Sequence, residues 1–287
     1  MSIYLKKPVR GLNLLEEGSI EYSISSQRPK DSKSIGILNL MPNKYETEAQ
    51  FIKLFDSMKQ SVYLRFIRIL NHEFKNSYRS YLENTYETFE NIKKEKLDGI
   101  IITGAPLEKI AFEEVNYWSE LQDIFDFIEG NVKTSFFICW AAQAALYHYY
   151  GIRKYTSDKK ISGVYKHYKV EEEKILDNLS FPLNCPHSRY SGISRSDLEN
   201  NHGVKTLLNS QEVGELLLFH ENKFFILGHI EYDREVLKSE YFRDLSRGID
   251  AQTPKNYFPM DNIKEEPIYS WRNEGKVLFS NWIKYYL

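Results

Sequence analysis

Short, almost wholly apolar runs alternating with amphipathic stretches of helix length constrain this chain most. Ser34–Leu40 (SIGILNL) ends at Met41-Pro42. A run of that length and composition suits a strand buried on both faces of a parallel sheet. NKYETEAQFIKLFDSM follows, with Phe51, Ile52, Leu54 and Phe55 on one helical stripe. Val62–Leu70 alternates as a second strand, and Asp98–Gly104 (DGIIITG) predicts a third, closed by Gly104-Ala105-Pro106. NYWSELQDIFDFIEGN predicts a helix ending near Gly130. Thr134–Ile138 is a strand running into Cys139, and WAAQAALYHYY a helix stopped by Gly151. This βαβα order predicts an α/β fold, an open and mostly parallel sheet with helices on both faces. Further on, EVGELLLFHENKFFILGH reads as two strands about a turn at Glu221-Asn222, the second leading into Gly228-His229. The tail from Tyr257 is aromatic, with Trp271, Phe279, Trp282 and Tyr286 among its residues, and is expected to pack on the body. With no internal repeat and no low-complexity linker, residues 1–287 are read as a single domain, its N- and C-terminal extensions packed on the core.

Composition excludes several classes. Hydrophobic residues make up 42% and charged residues 27%, so a packed core is expected. Against 40 acidic residues stand 38 basic ones, a formal net charge of −2, which provides no single-sign field for nucleic acid or anionic lipid. The longest apolar stretch, TSFFICWAAQAALYHYY, contains Gln143 and His148 and follows Lys133, which fits a buried strand and helix better than a membrane span. The first nineteen residues carry charges throughout, without the apolar centre of a signal peptide. Only two cysteines are present, Cys139 and Cys185, so the expected setting is a reducing one, the cytoplasm. The seven histidines show no paired ligand spacing, and no metal is expected.

Two places carry the residues for chemistry. Cys139 stands at a strand-to-helix junction with small Ala141 and Ala142 after it, the form of a nucleophile elbow. There a thiol faces a helix N-terminus, which favours thiolate. The backbone N–H of Trp140 points where an oxyanion develops. A buried core cysteine is the competing reading, since the glycines of the usual elbow are absent. In His229-Ile230-Glu231, an extended backbone projects the first and third side chains to one side, so that Glu231 can orient the imidazole. The competing reading is a chance neighbourhood.

In this order, Cys139 and His229-x-Glu231 resemble the class I glutamine amidotransferase architecture. The pieces LNLMPNKYETEAQF (Leu38–Phe51), TGAPLE (Thr103–Glu108), FFICWAAQAALYHYYGI (Phe136–Ile152), SGVYKH (Ser162–His167), PHSRY (Pro186–Tyr190), GHIEYD (Gly228–Asp233), YFRD (Tyr241–Asp244), NYFPMD (Asn256–Asp261) and SWRNEGKVLFSNWIKYY (Ser270–Tyr286) narrow the resemblance. Together they resemble the amidotransferase-like homoserine O-acyltransferases of methionine biosynthesis, in order and over nearly the whole chain. This implies a flavodoxin-like, three-layer, mostly parallel sheet. It implies Cys139 as nucleophile, His229 as general base and Glu231 as its orienting partner. Lys44 takes the active-site lysine position near the acyl oxyanion, with the Trp140 N–H. Lys160 and Ser188 match substrate-contacting positions, and Arg243 the arginine that grips the amino-acid carboxylate. Glu108 matches the position associated with acyl-donor choice, where glutamate goes with acetyl and glycine with succinyl transfer. The bland readings are a solvated Lys44, a Ser188 bonded to its own backbone, an Arg243 paired with a helix neighbour, and a Glu108 paired with Lys109 or capping a helix. Cys185 is expected to be structural. Isoleucine at 230 departs from the family's usual His-Pro-Glu.

The activity so implied is homoserine O-acetyl transfer from acetyl-CoA to L-homoserine by a ping-pong thioester route, with no bound cofactor and in a homodimer. The alternatives are serine O-acetyltransferase, homoserine O-succinyltransferase, a glutamine amidotransferase subunit, and a non-catalytic binding or sensor homologue.

Overall fold

The structure is a computed structural model that describes residues 2–56, 58–70 and 76–287. In chain order its strands are β1 (Ile3–Leu5), β2 (Tyr22–Ile24), β3 (Ser32–Leu38), β4 (Ser61–Arg68), β5 (Glu87–Thr88), β6 (Gly99–Ile102), β7 (Thr134–Ile138), β8 (Lys154–Lys169), β9 (Leu183–Ile193), β10 (Lys205–Ser210), β11 (Gly214–His220) and β12 (Lys223–Ile226). The helices are α1 (Lys44–Phe55), α2 (Asn76–Thr85), α3 (Phe89–Ile92), α4 (Trp118–Asn131), α5 (Trp140–Tyr150), α6 (Arg195–Glu199), α7 (Val236–Ser246) and α8 (Arg272–Tyr286).

All twelve strands form one sheet, β2-β1-β4-β3-β6-β7-β12-β11-β10-β8-β9, with β5 beside β4. From β2 to β12 every pair is parallel, and from β12 to β9 every pair is antiparallel. The apolar runs sit in the middle of the parallel part, where both faces are covered. Alternate side chains feed two cores. Ile35, Ile37, Ile101, Phe136, Ile138, Phe224 and Ile226 face the layer of α1 and α8. Leu38, Ile100, Ile102, Phe137 and Phe225 face that of α4 and α5. The expected three layers and mostly parallel sheet are therefore present.

The aromatic tail is a structural member. On α8, Trp282 donates its indole N–H to Thr134 Oγ1 at 2.8 Å. It packs so closely on β6 that a Cβ at Gly99 would lie 2.9 Å from its ring, and only glycine leaves room. Gly151 ends α5 in the left-handed region at φ 67°, and Glu221 and Asn222 turn β11 into β12 at φ 45° and 65°. The long hairpin β8–β9 has no counterpart among the strands expected from the sequence. Its first strand, β8, is half exposed, with residues such as Tyr155, Lys159 and Lys166 toward solvent, so it lacks the apolar run that betrays a buried strand.

That hairpin encloses a buried polar stack. His187 Nε2 lies 3.2 Å from His167 Nε2, and the Arg189 Nε–H reaches His187 Nδ1 at 3.2 Å. Arginine only donates, so His187 Nδ1 must offer a lone pair, and its proton sits on Nε2, directed at His167. Arg189 spends its remaining donors on the carbonyls of Ser191 and Val213. Burial, with the positive charge of Arg189, holds His187 well below the ordinary 6.5, and burial above all brings His167 down to about 4. Both rings are thus neutral when folded, whereas an unfolded chain takes up protons from 6.5 downward. Stability should be complete above about pH 6.5 and fall as pH drops toward 4, by up to ~1.4 kcal/mol per pH unit for His167 within that window. Urea midpoints measured across this range check it: His167→Gln should show a shallower acid decline than wild type, and parallel curves would contradict the assignment.

Candidate active site

Four neighbouring parallel strands, β3, β6, β7 and β12, end on one side of the sheet, and the candidate residues follow their carboxyl ends. Ligands of open α/β sheets bind in this place. Cys139 leaves β7 and caps α5 at φ 52°, ψ −113°. A non-glycine residue there is strained, and its N–H is tied to the Ile226 carbonyl of β12 at 2.7 Å. The glycine missing from the elbow itself is supplied across the sheet. At Gly104 a Cβ would lie 3.3 Å from Cys139 Cβ and 3.5 Å from His229 Cε1. Its sequence signal was that of a strand breaker, so this second role went unread. Trp140, Ala141 and Ala142 open α5, and the first N–H groups of a helix have no intrahelical acceptor. The Trp140 N–H is therefore placed beside the thiol as expected, while the indole is buried under Phe112 and Tyr117.

His229 and Glu231 come together, but not by extension. The backbone turns, with the Tyr232 N–H on the His229 carbonyl at 3.2 Å. This corrects the expected extended geometry: residues 229–231 lie beyond the end of β12, where β9 holds the His229 N–H on its Pro186 carbonyl at 2.8 Å and the chain then turns. His229 Nδ1 meets Glu231 Oε1 at 2.7 Å, and the ring stacks on Tyr232 with centroids 4.1 Å apart. An ionised carboxylate only accepts, so Nδ1 carries the proton and Nε2 is left for the thiol. Burial alone would push the imidazole down, but negative charge on Cys139 and Glu231 and hydrogen bonds to both raise it well above 6.5. The turn around Ile230 is clamped from outside. A Cβ at Gly275 of α8 would lie 2.8 Å from the Ile230 carbonyl oxygen, and the Trp271 indole N–H holds the Tyr232 carbonyl at 2.7 Å.

Cys139 and His229 open into a pocket of about 360 Å³. Glu108, Lys160, Ser188 and Arg243 are among the residues that line it. Lys160 Nζ lies 2.8 Å from Asp244 Oδ2, and Arg243 reaches Asp244 Oδ1 through Nε and Nη2 at 3.2 and 3.1 Å. Arg243 does pair with a helix neighbour, then, and the same carboxylate aligns both cations. Burial would raise Asp244, but the bonds and charges of Lys160 and Arg243 bring it below the ordinary 3.8. Glu240 was not singled out from the sequence, where it is one of many helix glutamates. It lines the pocket, accepts from Tyr232 Oη at 3.3 Å and stands 4.0 Å from Lys160. Among the described residues no ion pair engages Glu108, and Lys109 lies instead over the Tyr190 ring at 4.3 Å.

Lys44 departs from expectation. It is buried on the first turn of α1, outside the pocket lining, and its ammonium donates to the Asn39 carbonyl at 2.6 Å. Burial lowers it to about 7, offset in part by Glu48. Glu48 is itself fixed by Tyr86 Oη at 2.6 Å, Tyr81 Oη at 2.8 Å and the Gly11 N–H at 2.7 Å. Lys44 is thus a buried amine behind the pocket lining, neither a solvated lysine nor a surface contact. Among the described residues, which exclude His72, no three His, Cys, Asp or Glu side chains converge as a metal site, and no helix is long and apolar enough to cross a membrane.

A strained cysteine with a buried His–Glu pair, at the carboxyl ends of a parallel sheet, places the chain in the class I glutamine amidotransferase-like α/β fold. Solved structures agree on the fold. A glutamine amidotransferase from Thermotoga maritima superposes with a TM-score of 0.52 at 10% identity, over 89% of this chain and 98% of that one. One from Methylobacillus flagellatus gives 0.53 at 11%, over 88% and 94%. Within that class the chain belongs to the homoserine O-succinyltransferase family, whose model matches residues 12–287. Curated relatives include a homoserine O-acetyltransferase of Bacillus cytotoxicus, 39% identical over 100% of this chain and 97% of its own. Another homoserine O-acetyltransferase, of Clostridium acetobutylicum, is 42% identical over 88% and 85%.

The two cysteines should separate chemically. Cys139 faces the pocket beside His229, whereas Cys185 is wholly enclosed, its thiol on the Pro186 carbonyl and pushed far up by burial. Iodoacetamide on the native protein, followed by peptide mass mapping, should label Cys139 at least ~10-fold faster than Cys185, because thiolate and access control the rate. Equal labelling would contradict this placement.

Proposed function

We propose that the protein is a homoserine O-acetyltransferase, acting from one acyltransferase domain, as a homodimer in the cytoplasm, with acetyl-CoA as cosubstrate and a Cys139 thioester as intermediate. The observation that carries the reading is one pocket that joins a cysteine–histidine pair to a lone glutamate on one side and an Asp244-aligned pair of cations on the other. The names of the relatives support the acetyl donor and the homoserine acceptor.

The Cys139 thiolate attacks the thioester carbonyl, forming a carbon–sulfur bond. The oxyanion accepts from the Trp140 N–H, with the Lys44 charge behind the wall adding support when protonated. Collapse expels the CoA thiolate, which takes the proton held by His229. Homoserine then enters, its carboxylate toward Arg243 and Lys160 and its ammonium toward Glu240. His229 removes the hydroxyl proton, the oxygen attacks the acyl carbon, and Cys139 leaves as thiolate. Glu231 holds Nδ1–H throughout and stabilises the imidazolium.

Donor choice follows from Glu108. Succinyl ends in a carboxylate and acetyl in a methyl group. Two unit charges ~4 Å apart at an effective dielectric of ~20 repel by about 4 kcal/mol, so even a fraction of this disfavours succinyl strongly.

Three variants test the assignment. Cys139→Ser should lose the CoA burst and more than ~10³-fold in turnover, because a nucleophile and its base act as a unit, while Cys185→Ser retains most activity. Near-normal turnover in Cys139→Ser would sink the mechanism. Arg243→Ala should raise the homoserine KM by ~10–100-fold, the equivalent of a lost charged hydrogen bond, and leave the acylation burst nearly intact; equal damage to both half-reactions would refute the clamp. For Glu108→Gly, the ratio of kcat/KM for acetyl-CoA over succinyl-CoA should fall by more than about tenfold. A wild type that prefers succinyl-CoA, or a ratio indifferent to the substitution, overturns the donor reading. Running serine against homoserine in the same assay settles the acceptor.

A further inference from the structure

The segment that follows β6 brings Gly104, Ala105, Pro106 and Glu108 to the pocket. Inside it, the backbone makes only two bonds of its own, Leu107 N–H to Ala105 O at 2.9 Å and Ile110 N–H to Leu107 O at 3.2 Å, and no strand lies beside it. Three of its carbonyls nonetheless converge on one point. The Lys154 ammonium occupies that point, donating to Glu108 O at 2.6 Å, to Leu107 O at 3.4 Å and to Ile110 O. An ammonium has three protons and no lone pair, so this contact set uses its whole donor capacity on main chain.

Lys154 is therefore not an ordinary surface cation. It is half-buried at the first position of β8, and among the described residues no carboxylate lies within ion-pair distance of it. Its Nζ stands 4.7 Å over the Phe112 ring, which is itself stacked against Trp118 and Tyr147. Burial lowers its proton affinity, while the more distant charges of Glu108 and Glu113 favour the ammonium. The anchor rests on an aromatic stack on one side and grips the segment after β6 on the other.

We infer that Lys154 is a positioning residue for acyl-donor choice, acting through Glu108. One of the three bonds, at 2.6 Å, is to the carbonyl of Glu108 itself. Fixing that peptide plane fixes the direction in which the residue projects its side chain into the pocket. A carboxylate discriminates against a second carboxylate only if it is held close to it, because the repulsion falls with distance and water fills any gap. With Lys154 gone, three carbonyls lose their common donor, the segment relaxes, and Glu108 swings free. The inference rests on the donor-selecting role proposed for Glu108.

The test is a double-mutant cycle on donor preference, with purified protein, homoserine, and acetyl-CoA or succinyl-CoA as probes. Lys154→Met keeps the length of the stem and removes the donors. It should lower the acetyl-to-succinyl ratio of kcat/KM by about tenfold in the wild-type background. In the Glu108→Gly background it should leave the ratio where Glu108→Gly alone puts it, since nothing remains to be positioned. A merely structural lysine would reduce both donors equally, or shift the ratio alike in both backgrounds, and either result overturns the inference. If Glu108→Gly moves the ratio and Lys154→Met does not, the inference fails while the donor reading stands. If Glu108→Gly does not move it, the donor reading fails and takes the inference with it. Lys154→Arg guards against misfolding of the first variant. It retains the charge, but its planar fork cannot converge on three carbonyls. It should shift the ratio in the same direction by a smaller factor; a ratio equal to wild type in a folded Lys154→Arg protein, with Lys154→Met unfolded, also overturns the proposal.

Discussion

The whole site hangs on one unfavourable backbone conformation. Holding Cys139 at φ 52° costs on the order of 1–3 kcal/mol, and it persists only because its surroundings leave no alternative. β7 lies between β6 and β12 and cannot slide. The Cys139 N–H is fixed to Ile226, and the buried alanines of α5 bring that helix hard against the sheet. The absence of a side chain at Gly104 lets the thiol and the imidazole share the space that remains. A central strand of a parallel sheet is about the stiffest support a fold offers, and the strain is placed there.

The acid–base pair is fixed by a different means. His229 and Glu231 stand on a turn that β9 holds only at its start, through the Pro186 carbonyl, and further rigidity is imported from the tail. Gly275 and Trp271 close on the two carbonyls that flank Glu231. Burying a charged pair is costly unless geometry and hydrogen bonds are good. Here the Nδ1–Oε1 contact and the stacked Tyr232 ring satisfy that condition.

Much of this was legible in the residues. β3, β6 and β7 announce themselves as apolar runs because both faces are covered, and the elbow follows because a strand must end where Cys139 begins. The pocket residues Glu108, Lys160, Ser188 and Arg243 came from motif resemblance, and no local pattern marks them. What was not legible is non-local. The β8–β9 hairpin carries too many polar residues to resemble a strand until its partner is known. The burial of Lys44 depends on Glu48, and Glu48 on Tyr81, Tyr86 and Gly11, which the chain brings from two distant segments. Glu240 and Gly104 had ordinary local explanations that fully accounted for them in sequence. The error at His229–Glu231 was one of backbone, not of partners: two side chains two residues apart can meet across a turn as well as along an extended segment.

The tail's grip on the catalytic turn has a temporal side. A ribosome releases Cys139 first, His229 some ninety residues later, and Gly275 last of all. The strained elbow closes only once β12 supplies the Ile226 carbonyl, and the turn that carries the base gains its last clamps when α8 docks. A nascent chain therefore carries its thiol for some time without a clamped imidazole beside it, and the order of synthesis leaves the nucleophile unassisted until α8 has docked.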